Sequence, residues 1–352
     1  LYSSAASDVY KRQLLLFFNK VDTTGLVLER ILEAKPSVLL LAQDGAREGN
    51  AHDEKAVPEC RKRVEELLAG IDWPCEIYRN YAEKNMSCDP REYSAISWAF
   101  GIVDKLIILE DDCLCSSSFF PFMEELLLRY EKDERIGMIC GMERFGRNPY
   151  CKDSYYFTQT CSGCGWATWK RCWDDVERIA KDYDYLDDAD LTQKVDDYVK
   201  KCCLKVYRDY IPKAAKNRED NRTTGSIQSW EFAQSAAMIM ESRLAINPMV
   251  NLVKNIGMVP GATHSGNDIR TIPKRYRRIF ENDNLELEFP LRHPLYIIRD
   301  VKYEQMHDRT YAINEFQKWK DDIEHIYLYI RYGHLRELFQ GVKRRLKRHA
   351  DK

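Results

Sequence analysis

Long hydrophobic runs and a strong net charge are both absent from this sequence. No apolar stretch reaches the roughly 18 residues needed to cross a bilayer, and no cleavable signal peptide or internal repeat is visible. The formal net charge is −2 in 352 residues, so no global field points to nucleic acid as a partner. With 44% hydrophobic and 31% charged residues, the composition predicts an ordinary globular protein of one or two domains.

Cysteines at metal-ligand spacing are also scarce, although the chain contains 12 cysteines. Cys161 and Cys164 have CxxC spacing, but the second such pair that a structural zinc site ordinarily needs is missing. We therefore expect reduced thiols packed as small hydrophobic groups, as in a cytoplasmic protein. Residues 1–13, LYSSAASDVYKRQ, resemble a translated sequencing adapter, and we expect this leader to lie outside the fold.

What is present is an alternation of short apolar runs with amphipathic segments. Runs such as LLLFFNK, VLLLAQDG and KLIILEDD lack polar alternation, which is typical of parallel strands buried on both faces. Helical patterns such as PECRKRVEELLAGI separate them. This order predicts an α/β protein with a mostly parallel central sheet flanked by helices. Later segments predict a fifth strand (RIGMICGMERFG), an aromatic turn leading into a helix (GCGWATWKRCW), a polar loop or lid at 214–228, and a strand pair or an extended segment (LAINPMVNLVKNIG).

Polar residues follow each of the first four predicted strands. In parallel α/β sheets, ligands bind at the carboxyl ends of the strands, so this edge is the expected ligand site. Its residues are Asn19-Lys20, Gln43-Asp44-Gly45, Arg79-Asn80 and Glu110-Asp111-Asp112.

Three adjacent carboxylates end the fourth strand. Glu110, Asp111 and Asp112 repel one another unless a divalent cation lies among them. Oxygen ligands suit Mg²⁺ or Mn²⁺, which combine one or two carboxylates with phosphate oxygens. The cluster therefore indicates a metal-bound nucleotide or phosphorylated ligand. The alternative is an acidic turn that helps to cap the next helix.

Seven segments occur together in an order that resembles a known family. They are LLLFFNKVDTT, LLLAQDG, AISWAF, KLIILEDDCL with SFFPF, GWATWKRCW, SWEFAQ, and NLVKNIG with ATHSG. Together they resemble the GT-A glycosyltransferases, and in particular bacterial nucleotide-diphospho-sugar transferases related to the N-acetylglucosaminyltransferase I type. The resemblance covers residues 14–268 and implies a Rossmann-like catalytic domain, with a nucleotide-binding half (14–145) and an acceptor half (146–268). Residues 269–352 match no family and are expected to form a basic, helical extension.

The resemblance places the family's Asp-x-Asp-type metal motif on the acidic cluster. Asp112 would bind Mn²⁺ or Mg²⁺ directly, and Glu110 and Asp111 would contact the sugar nucleotide. His264, in ATHSG, would complete the metal shell or contact the diphosphate, and the alternative is an exposed loop histidine.

The resemblance also implies how the nucleotide is held. Asp44 would hydrogen-bond the base or the ribose, and Asn19 and Lys20 would line the nucleotide pocket. Lys20 departs from the family, which has an arginine there.

An inverting transfer needs a general base that takes the proton of the acceptor hydroxyl. In SWEF, Glu231 stands where the family carries an acidic residue, and Trp230 beside it would stack on a sugar and raise the pKa of the glutamate. The alternative is a glutamate that only favours the first turn of a helix. Asp174 and Asp175 are weaker candidates for the base, and the alternative is that they pair with Lys170 and Arg171 or face solvent.

Two more tryptophans, Trp166 and Trp169, stand among glycines and offer flat faces for a sugar. We expect one of them to pack in the core and the other to line the acceptor side.

The basic tail, with HLRELFQGVKRRLKRH, predicts either an interfacial helix on an anionic membrane or a solvated terminal helix. We therefore expect a cytoplasmic protein with peripheral contact at the inner membrane face.

The expected activity is transfer of a sugar from a nucleotide-diphosphate sugar to a hydroxyl of a saccharide or lipid-linked saccharide, with Mn²⁺ or Mg²⁺. A sugar-phosphate nucleotidyltransferase is one alternative, but it would need a glycine-rich loop after the first strand, which FFNKVDTTG lacks. A phosphatase with an aspartyl nucleophile would need its acidic motif on the first strand. A non-catalytic, carbohydrate-binding or scaffold protein of the same fold is the remaining alternative.

Overall fold

The structure is a computed structural model, and it describes residues 11–182, 188–208, 210–224, 227, 229–258, 268–312, 314–336 and 338. The strands are β1 (Arg12–Phe17), β2 (Val38–Gln43), β3 (Glu76–Tyr81), β4 (Lys105–Glu110), β5 (Cys113–Cys115), β6 (Ile136–Cys140), β7 (Tyr155–Thr158), β8 (Trp166–Trp169), β9 (Leu244–Pro248) and β10 (Val253–Asn255). The helices are α1 (Val21–Glu33), α2 (Ala51–Leu68), α3 (Cys88–Phe100), α4 (Phe119–Arg129), α5 (Lys170–Asp182), α6 (Ala189–Cys202), α7 (Tyr210–Thr224), α8 (Trp230–Met240), α9 (Lys274–Glu281), α10 (Val301–Tyr311) and α11 (Glu315–Arg331).

In the described ranges, eight strands form a central sheet in the order β3-β2-β1-β4-β8-β6-β9-β7. The strands β3, β2, β1 and β4 are parallel, so their carboxyl ends meet at one edge. The strand β8 runs antiparallel between β4 and β6, and β5 pairs with β10 in a separate small sheet. The chain is therefore an α/β protein with a mostly parallel, Rossmann-like sheet flanked by helices, which confirms the predicted fold class.

Two apolar layers cover the two faces of this sheet. Along β1, Leu14 and Leu16 belong to one layer, while Leu15 and Phe17 belong to the other. This division follows from the pleat, because successive side chains in a strand point to opposite faces. The helices α3, α5, α7 and α8 contribute to the first layer and α1, α2 and α4 to the second.

The predicted aromatic turn at GCGWATW is wrong, because Trp166–Trp169 form the central strand β8. The segment is short, and its two tryptophans are three residues apart, so they point to opposite faces of the sheet. Trp166 is buried in one layer and Trp169 in the other. Burial on both faces stabilises a strand that its glycine-rich flank alone does not indicate.

The predicted loop at 214–228 is likewise wrong over most of its length, because the helix α7 extends to Thr224. Its buried apolar side chains, Ile211, Ala214 and Ala215, lie near its start. The polar remainder therefore shows no helical periodicity, and packing of the first turns against α8 and α5 holds the helix instead.

The predicted leader and extension both contribute to this body. Strand β1 begins at Arg12, so Arg12 and Gln13 belong to the sheet although the leader was expected to reach residue 13. In the extension, Leu287 and Leu291 are buried in the second apolar layer. No helix in the described ranges is both long and apolar enough to span a membrane.

Candidate nucleotide-sugar site

A cavity of about 330 Å³ opens at the carboxyl ends of β1, β2 and β4. This volume lies within the range of about 300–1,000 Å³ that is typical of small-molecule sites. Leu16, Phe17 and Ala42 supply apolar lining, and acidic, basic and amide side chains surround them. We call it the edge cavity, and it lies where the topology of a parallel sheet favours ligand binding.

The acidic cluster lines the edge cavity as the sequence predicts. Glu110 is the last residue of β4, and Asp111 and Asp112 follow it directly. Asp111 accepts a hydrogen bond from the backbone N–H of Phe18 at 3.0 Å, which ties the end of β4 to the end of β1. The lateral order of the strands therefore brings the acidic cluster beside the Phe18–Lys20 connection.

Lys20 joins the two aspartates of this cluster. Its Nζ lies 3.1 Å from Oδ1 of Asp111 and 2.9 Å from Oδ2 of Asp112. Burial opposes the charge on the lysine, but the two carboxylates outweigh burial and raise the pKa of Lys20 above its ordinary value. Burial also raises the pKa of Asp111, with Lys20 opposing the rise. The position between the two carboxylates is thus suited to a cation.

The segment after β10 fixes the carboxylate of Asp112. The backbone N–H of Ile256 donates to the carbonyl oxygen of Asp112 at 2.8 Å. A Cβ atom at Gly257 would lie 2.2 Å from Oδ2 of Asp112, so no larger residue fits there without displacing the carboxylate. Asn255 approaches the other oxygen of Asp112, Oδ1, at 3.5 Å.

Glu92, on α3, is an acidic residue of the edge cavity that the sequence analysis missed. It accepts hydrogen bonds from Nε1 of Trp230 at 2.7 Å and from Sγ of Cys88 at 2.9 Å. Burial raises the pKa of Glu92, and burial together with the charge of Glu92 raises that of Glu110. A protonated carboxyl group can donate a hydrogen bond to a ligand, which a carboxylate cannot.

Asp44 lines the edge cavity and organises the loop beside it. Its carboxylate accepts hydrogen bonds from the backbone N–H groups of Gly45 and Met86 and from Nδ2 of Asn85, at 2.8–2.9 Å. Burial raises the pKa of Asp44, and these hydrogen bonds oppose the rise. Contact of Asp44 with a base or ribose stays a prediction.

Arg47 and Arg91 add positive charge to the lining of the edge cavity. Arg47 donates to the buried carboxylate of Asp53 at 3.0 Å and lowers the pKa of Asp53 to about 2. Asn19 donates to the same carboxylate at 2.8 Å, so it supports Arg47 rather than facing the cavity. Arg91 is buried and bonds the backbone carbonyl oxygens of Gln43 and Asn80, in β2 and β3.

The three predicted sugar-binding tryptophans are buried, so the expected sugar platform is not present. Trp166 and Trp169 are 1% and 3% exposed, and Nε1 of Trp169 donates to the carbonyl oxygen of Leu127. Trp230 is also buried and stacks on Trp166 with ring centroids 5.4 Å apart. Their flat faces are used in packing, because all three lie in or against the central strand β8.

Glu231, the predicted base, begins α8 beside Trp230 and is exposed. It lines a smaller cavity of about 50 Å³ that we call the side cavity, together with Arg144, Ser162, Trp230 and Gln234. Trp230 connects the two cavities, because it lines the side cavity and donates to Glu92 of the edge cavity.

The other two candidates for the base lie away from both cavities. Asp174 is exposed and pairs with Lys170 on α5, and Asp175 pairs with Arg243. Both aspartates therefore belong to ion pairs, an exposed one for Asp174 and a half-buried one for Asp175.

His264 lies outside the residues that the structure describes. Within the described ranges, no group of three His, Cys, Asp or Glu side chains forms a complete protein cage for a metal ion. Any cation at Asp112 would therefore need oxygen atoms of a ligand or of water in addition.

Several lining residues of the edge cavity carry a signal that the sequence analysis did not use. Arg47, Asn85 and Glu92 follow the carboxyl ends of β2 and β3, where the rule for parallel sheets places ligand contacts. Phe280 lines the same cavity from α9, in the extension. No local pattern indicates Phe280, because it reaches the cavity only through the folding of a distant segment.

Comparison with known proteins gives a likeness of fold only. No protein-family model and no curated protein matches the chain. A cytidylyltransferase from Leptospira borgpetersenii is 16% identical, with a TM-score of 0.30, over 49% of this chain and 66% of that chain. The structure of UDP-glucose pyrophosphorylase complexed with UDP-glucose is 10% identical, with a TM-score of 0.33, over 68% of this chain and 91% of that chain. TarS 1–349 from S. aureus is 11% identical, with a TM-score of 0.34, over 61% of this chain and 74% of that chain.

Proposed function

We propose that the chain is a glycosyltransferase that moves a sugar from a nucleotide-diphosphate sugar to a hydroxyl group of a saccharide acceptor, with inversion. The observation that supports this most is the edge cavity itself. It joins the acidic end of β4, three cationic side chains and an apolar floor in one ligand-sized space. These groups match the phosphates, the metal ion and the base of a sugar nucleotide.

The donor would bind along the edge of the sheet. Phe17, Phe18 and Phe280 provide apolar surface for the base, and the carboxylate of Asp44, on the same lining, would accept hydrogen bonds from the base or the ribose hydroxyls. The positive charge for the diphosphate comes from Lys20, Arg47 and Arg91. Binding of phosphate oxygens through ammonium and guanidinium groups is favourable.

Mn²⁺ or Mg²⁺ belongs to this proposal, and the donor set fits such an ion. Asp111 and Asp112 already share one cation, the ammonium of Lys20. Their oxygen atoms suit a hard divalent ion, which Asp112 would hold together with phosphate oxygens of the donor. When bound, such an ion offsets the negative charge of the departing diphosphate. Lys20 competes for the same carboxylates, so we expect little metal binding before the nucleotide arrives.

Glu231 is the proposed general base, since it is an exposed carboxylate on the side cavity, and its neighbour Trp230 donates to Glu92 of the edge cavity. It takes the proton of the acceptor hydroxyl as that oxygen bonds to the anomeric carbon of the donor sugar. The bond from the anomeric carbon to the diphosphate breaks in the same step, and the nucleoside diphosphate leaves. General bases of this kind contribute roughly 10²–10⁴-fold to the rate.

The nucleotidyltransferase alternative lacks a supporting feature at the start of α1. The connection from β1 to α1 consists of Phe18, Asn19 and Lys20 and contains no glycine. A loop that wraps a triphosphate uses several glycines, because its backbone N–H groups must approach the phosphates closely. A non-catalytic scaffold would not need metal-dependent nucleotide binding.

Calorimetric titration with UDP and GDP tests the proposal, in Mn²⁺, in Mg²⁺ and in EDTA. Wild type should bind one nucleotide in a metal-dependent manner, and Asp112→Ala should weaken that binding by at least about tenfold, since it removes a charged ligand. Asp72→Ala is the matched control, because Asp72 is exposed in the segment before β3. Absence of nucleotide binding under all conditions would exclude the transferase and favour the scaffold.

The acceptor and the membrane contact remain parts of the proposal. As a base, Glu231 needs an acceptor hydroxyl, and the proposed acceptor is a saccharide or a lipid-linked saccharide. Most of the basic tail that predicts contact with an anionic membrane lies outside the described residues.

A further inference from the structure

The side cavity contains an arginine without an acidic partner. Arg144 follows β6, and its guanidinium forms no ion pair with a carboxylate in the described part of the chain. Its Nε is buried and has no hydrogen-bond partner. Its guanidinium lies 5.7 Å from the centroid of the Tyr311 ring, and Tyr207 and Cys164 are among its other neighbours.

The arginines on the lining of the edge cavity differ from Arg144 in this respect. Arg47 pairs with the carboxylate of Asp53, and Arg91 donates to the backbone carbonyl oxygen of Gln43. Both therefore have partners within the protein, whereas Arg144 has a buried N–H group left for a ligand.

Arg144 is half-buried as a residue, but its buried Nε is costly unless a hydrogen bond satisfies it. Removing a guanidinium from water is unfavourable, and burial of charge is ordinarily compensated by an ion pair and hydrogen bonds. Because the described chain provides no carboxylate for Arg144, a ligand with an acidic group would supply the missing partner. Arginine is well suited to this, since its planar fork binds carboxylate or phosphate oxygens in pairs.

Other polar groups of the side cavity suit the rest of a sugar. The amide oxygen of Gln234 is buried without a hydrogen-bond partner and can accept a hydrogen bond from a hydroxyl group. Ser162 and Ser235 are buried on the same lining. Glu231 lies at this cavity too, and a Cβ atom at Gly163 would be 3.5 Å from Oε1 of Glu231. The side cavity therefore combines a site for an oxyanion with the proposed base.

The volume of the side cavity decides which part of a ligand enters it. The cavity measures about 50 Å³, several times the roughly 10–15 Å³ that a single water molecule requires by the same kind of measure. This space accommodates a carboxylate or a phosphate group but not a sugar ring. The ring would therefore stay at the mouth, where Glu231 is exposed.

We propose that the side cavity binds the acidic group of the acceptor, so that the acceptor is a saccharide bearing a carboxylate or a phosphate. Arg144 pairs with the oxyanion, and the amide oxygen of Gln234 accepts a hydrogen bond from a hydroxyl group of the sugar. Glu231 faces a different hydroxyl, the one that is glycosylated. This inference rests on the proposed transferase function for the role of the ligand, but the binding itself does not.

Saturation-transfer NMR and calorimetry with three probes test this inference. D-Glucuronate and D-glucose 6-phosphate represent the two sources of the oxyanion, and D-glucose is the neutral reference. At least one acidic probe should bind wild type about tenfold or more tightly than glucose. Arg144→Met should abolish that preference and leave UDP binding unchanged. Arg147→Met is the matched control, because Arg147 is exposed in the same loop.

The thermal midpoint of the variants separates a ligand-binding arginine from a structural one. Arg144→Met should not lower the midpoint, since it removes an unpaired charge from a covered position. Equal binding of all three probes to wild type would overturn the inference, as would a preference that survives in Arg144→Met, or a lowered midpoint. The wild-type comparison decides the matter even if a variant fails to fold. If the protein prefers the acidic probes but binds no nucleotide, the acidic-ligand site is supported and the proposed transferase function is excluded.

Discussion

At the scale of single residues, the contact between Gly257 and Asp112 decides where the proposed metal ligand lies. The ideal Cβ position at Gly257 is 2.2 Å from Oδ2 and 2.9 Å from Cγ of Asp112. Contacts this short cannot be tolerated, so one of the two groups must move. The backbone of Asp112 is itself hydrogen-bonded by Ile256, and the side chain is the part that can shift. Gly257 is therefore a positioning residue of the edge cavity.

Gly257→Ala should weaken metal-dependent nucleotide binding by about tenfold or more, because displacement of Asp112 separates it from Lys20 and Asp111. The free energy of unfolding should change by less than about 1 kcal/mol, since the strain is relieved by one side chain. Calorimetry and chemical denaturation measure the two effects. The matched control is Gly70→Ala, where the new Cβ meets only an ordinary contact at 3.4 Å. Unchanged nucleotide affinity in Gly257→Ala would contradict the role of Asp112 in binding the metal and the nucleotide.

At the scale of elements, the extension caps a helix of the sheet domain. Ser118 stands at the N-cap position of α4, but its side chain makes no capping hydrogen bond. Glu286 caps the start of the helix instead. Its carboxylate accepts hydrogen bonds from the backbone N–H groups of Ser117 at 3.1 Å and Ser118 at 2.8 Å. Burial opposes ionisation, but the hydrogen bonds from Ser118 and Ser117 outweigh it and lower the pKa of Glu286.

Glu286→Ala should cost about 1 kcal/mol at neutral pH, which is the usual effect of losing a helix cap and its charge. Because the folded-state pKa lies below the unfolded one, this contribution is present above the ordinary glutamate pKa. It is lost as the pH falls through the lowered value. The difference in free energy of unfolding between wild type and Glu286→Ala should therefore shrink in acid. Glu288→Ala, an exposed neighbour, is the control, and a pH-independent difference would contradict the assignment.

At the scale of the whole molecule, the described part of the extension belongs to the body of the protein. Leu287 and Leu291 are buried with the residues of α4 and β6 in one apolar layer. The backbone N–H of Asp300 donates to the carbonyl oxygen of Phe157 at 2.8 Å, and that of Ser154 donates to the carbonyl oxygen of Arg292 at 2.9 Å. We therefore predict that the extension unfolds together with the sheet as one cooperative unit.

Leu287→Ala should lower the free energy of unfolding by about 2–4 kcal/mol, because it removes buried methyl groups and leaves a cavity. Leu295 is 85% exposed, so Leu295→Ala should change the free energy of unfolding by less than about 0.5 kcal/mol. Denaturant unfolding followed by circular dichroism and by tryptophan fluorescence should give one coincident transition in wild type. Two separate transitions, with Leu287→Ala affecting one only, would show that the extension folds on its own.

The local patterns of the sequence predicted β1–β4, β6, β9 and β10, most helices and the edge where polar residues gather, but not the short strands β5 and β7. Apolar runs and helical periods report burial directly, and parallel order follows from strand–helix alternation. Of the ten residues that the sequence assigns to this edge, five line the edge cavity: Lys20, Asp44, Glu110, Asp111 and Asp112. The same patterns failed at β8 and α7, because neither segment shows its period and both are held by packing against distant residues.

Only the tertiary structure decided which groups touch. It placed Lys20 between Asp111 and Asp112, Phe280 on the edge cavity, and Arg144 on the same cavity as Glu231. It also removed the tryptophans from the surface, because a strand with burial on both faces has no free side. The physical reason is that burial, pairing and desolvation depend on neighbours many residues away, whereas sequence periodicity reports only one element at a time.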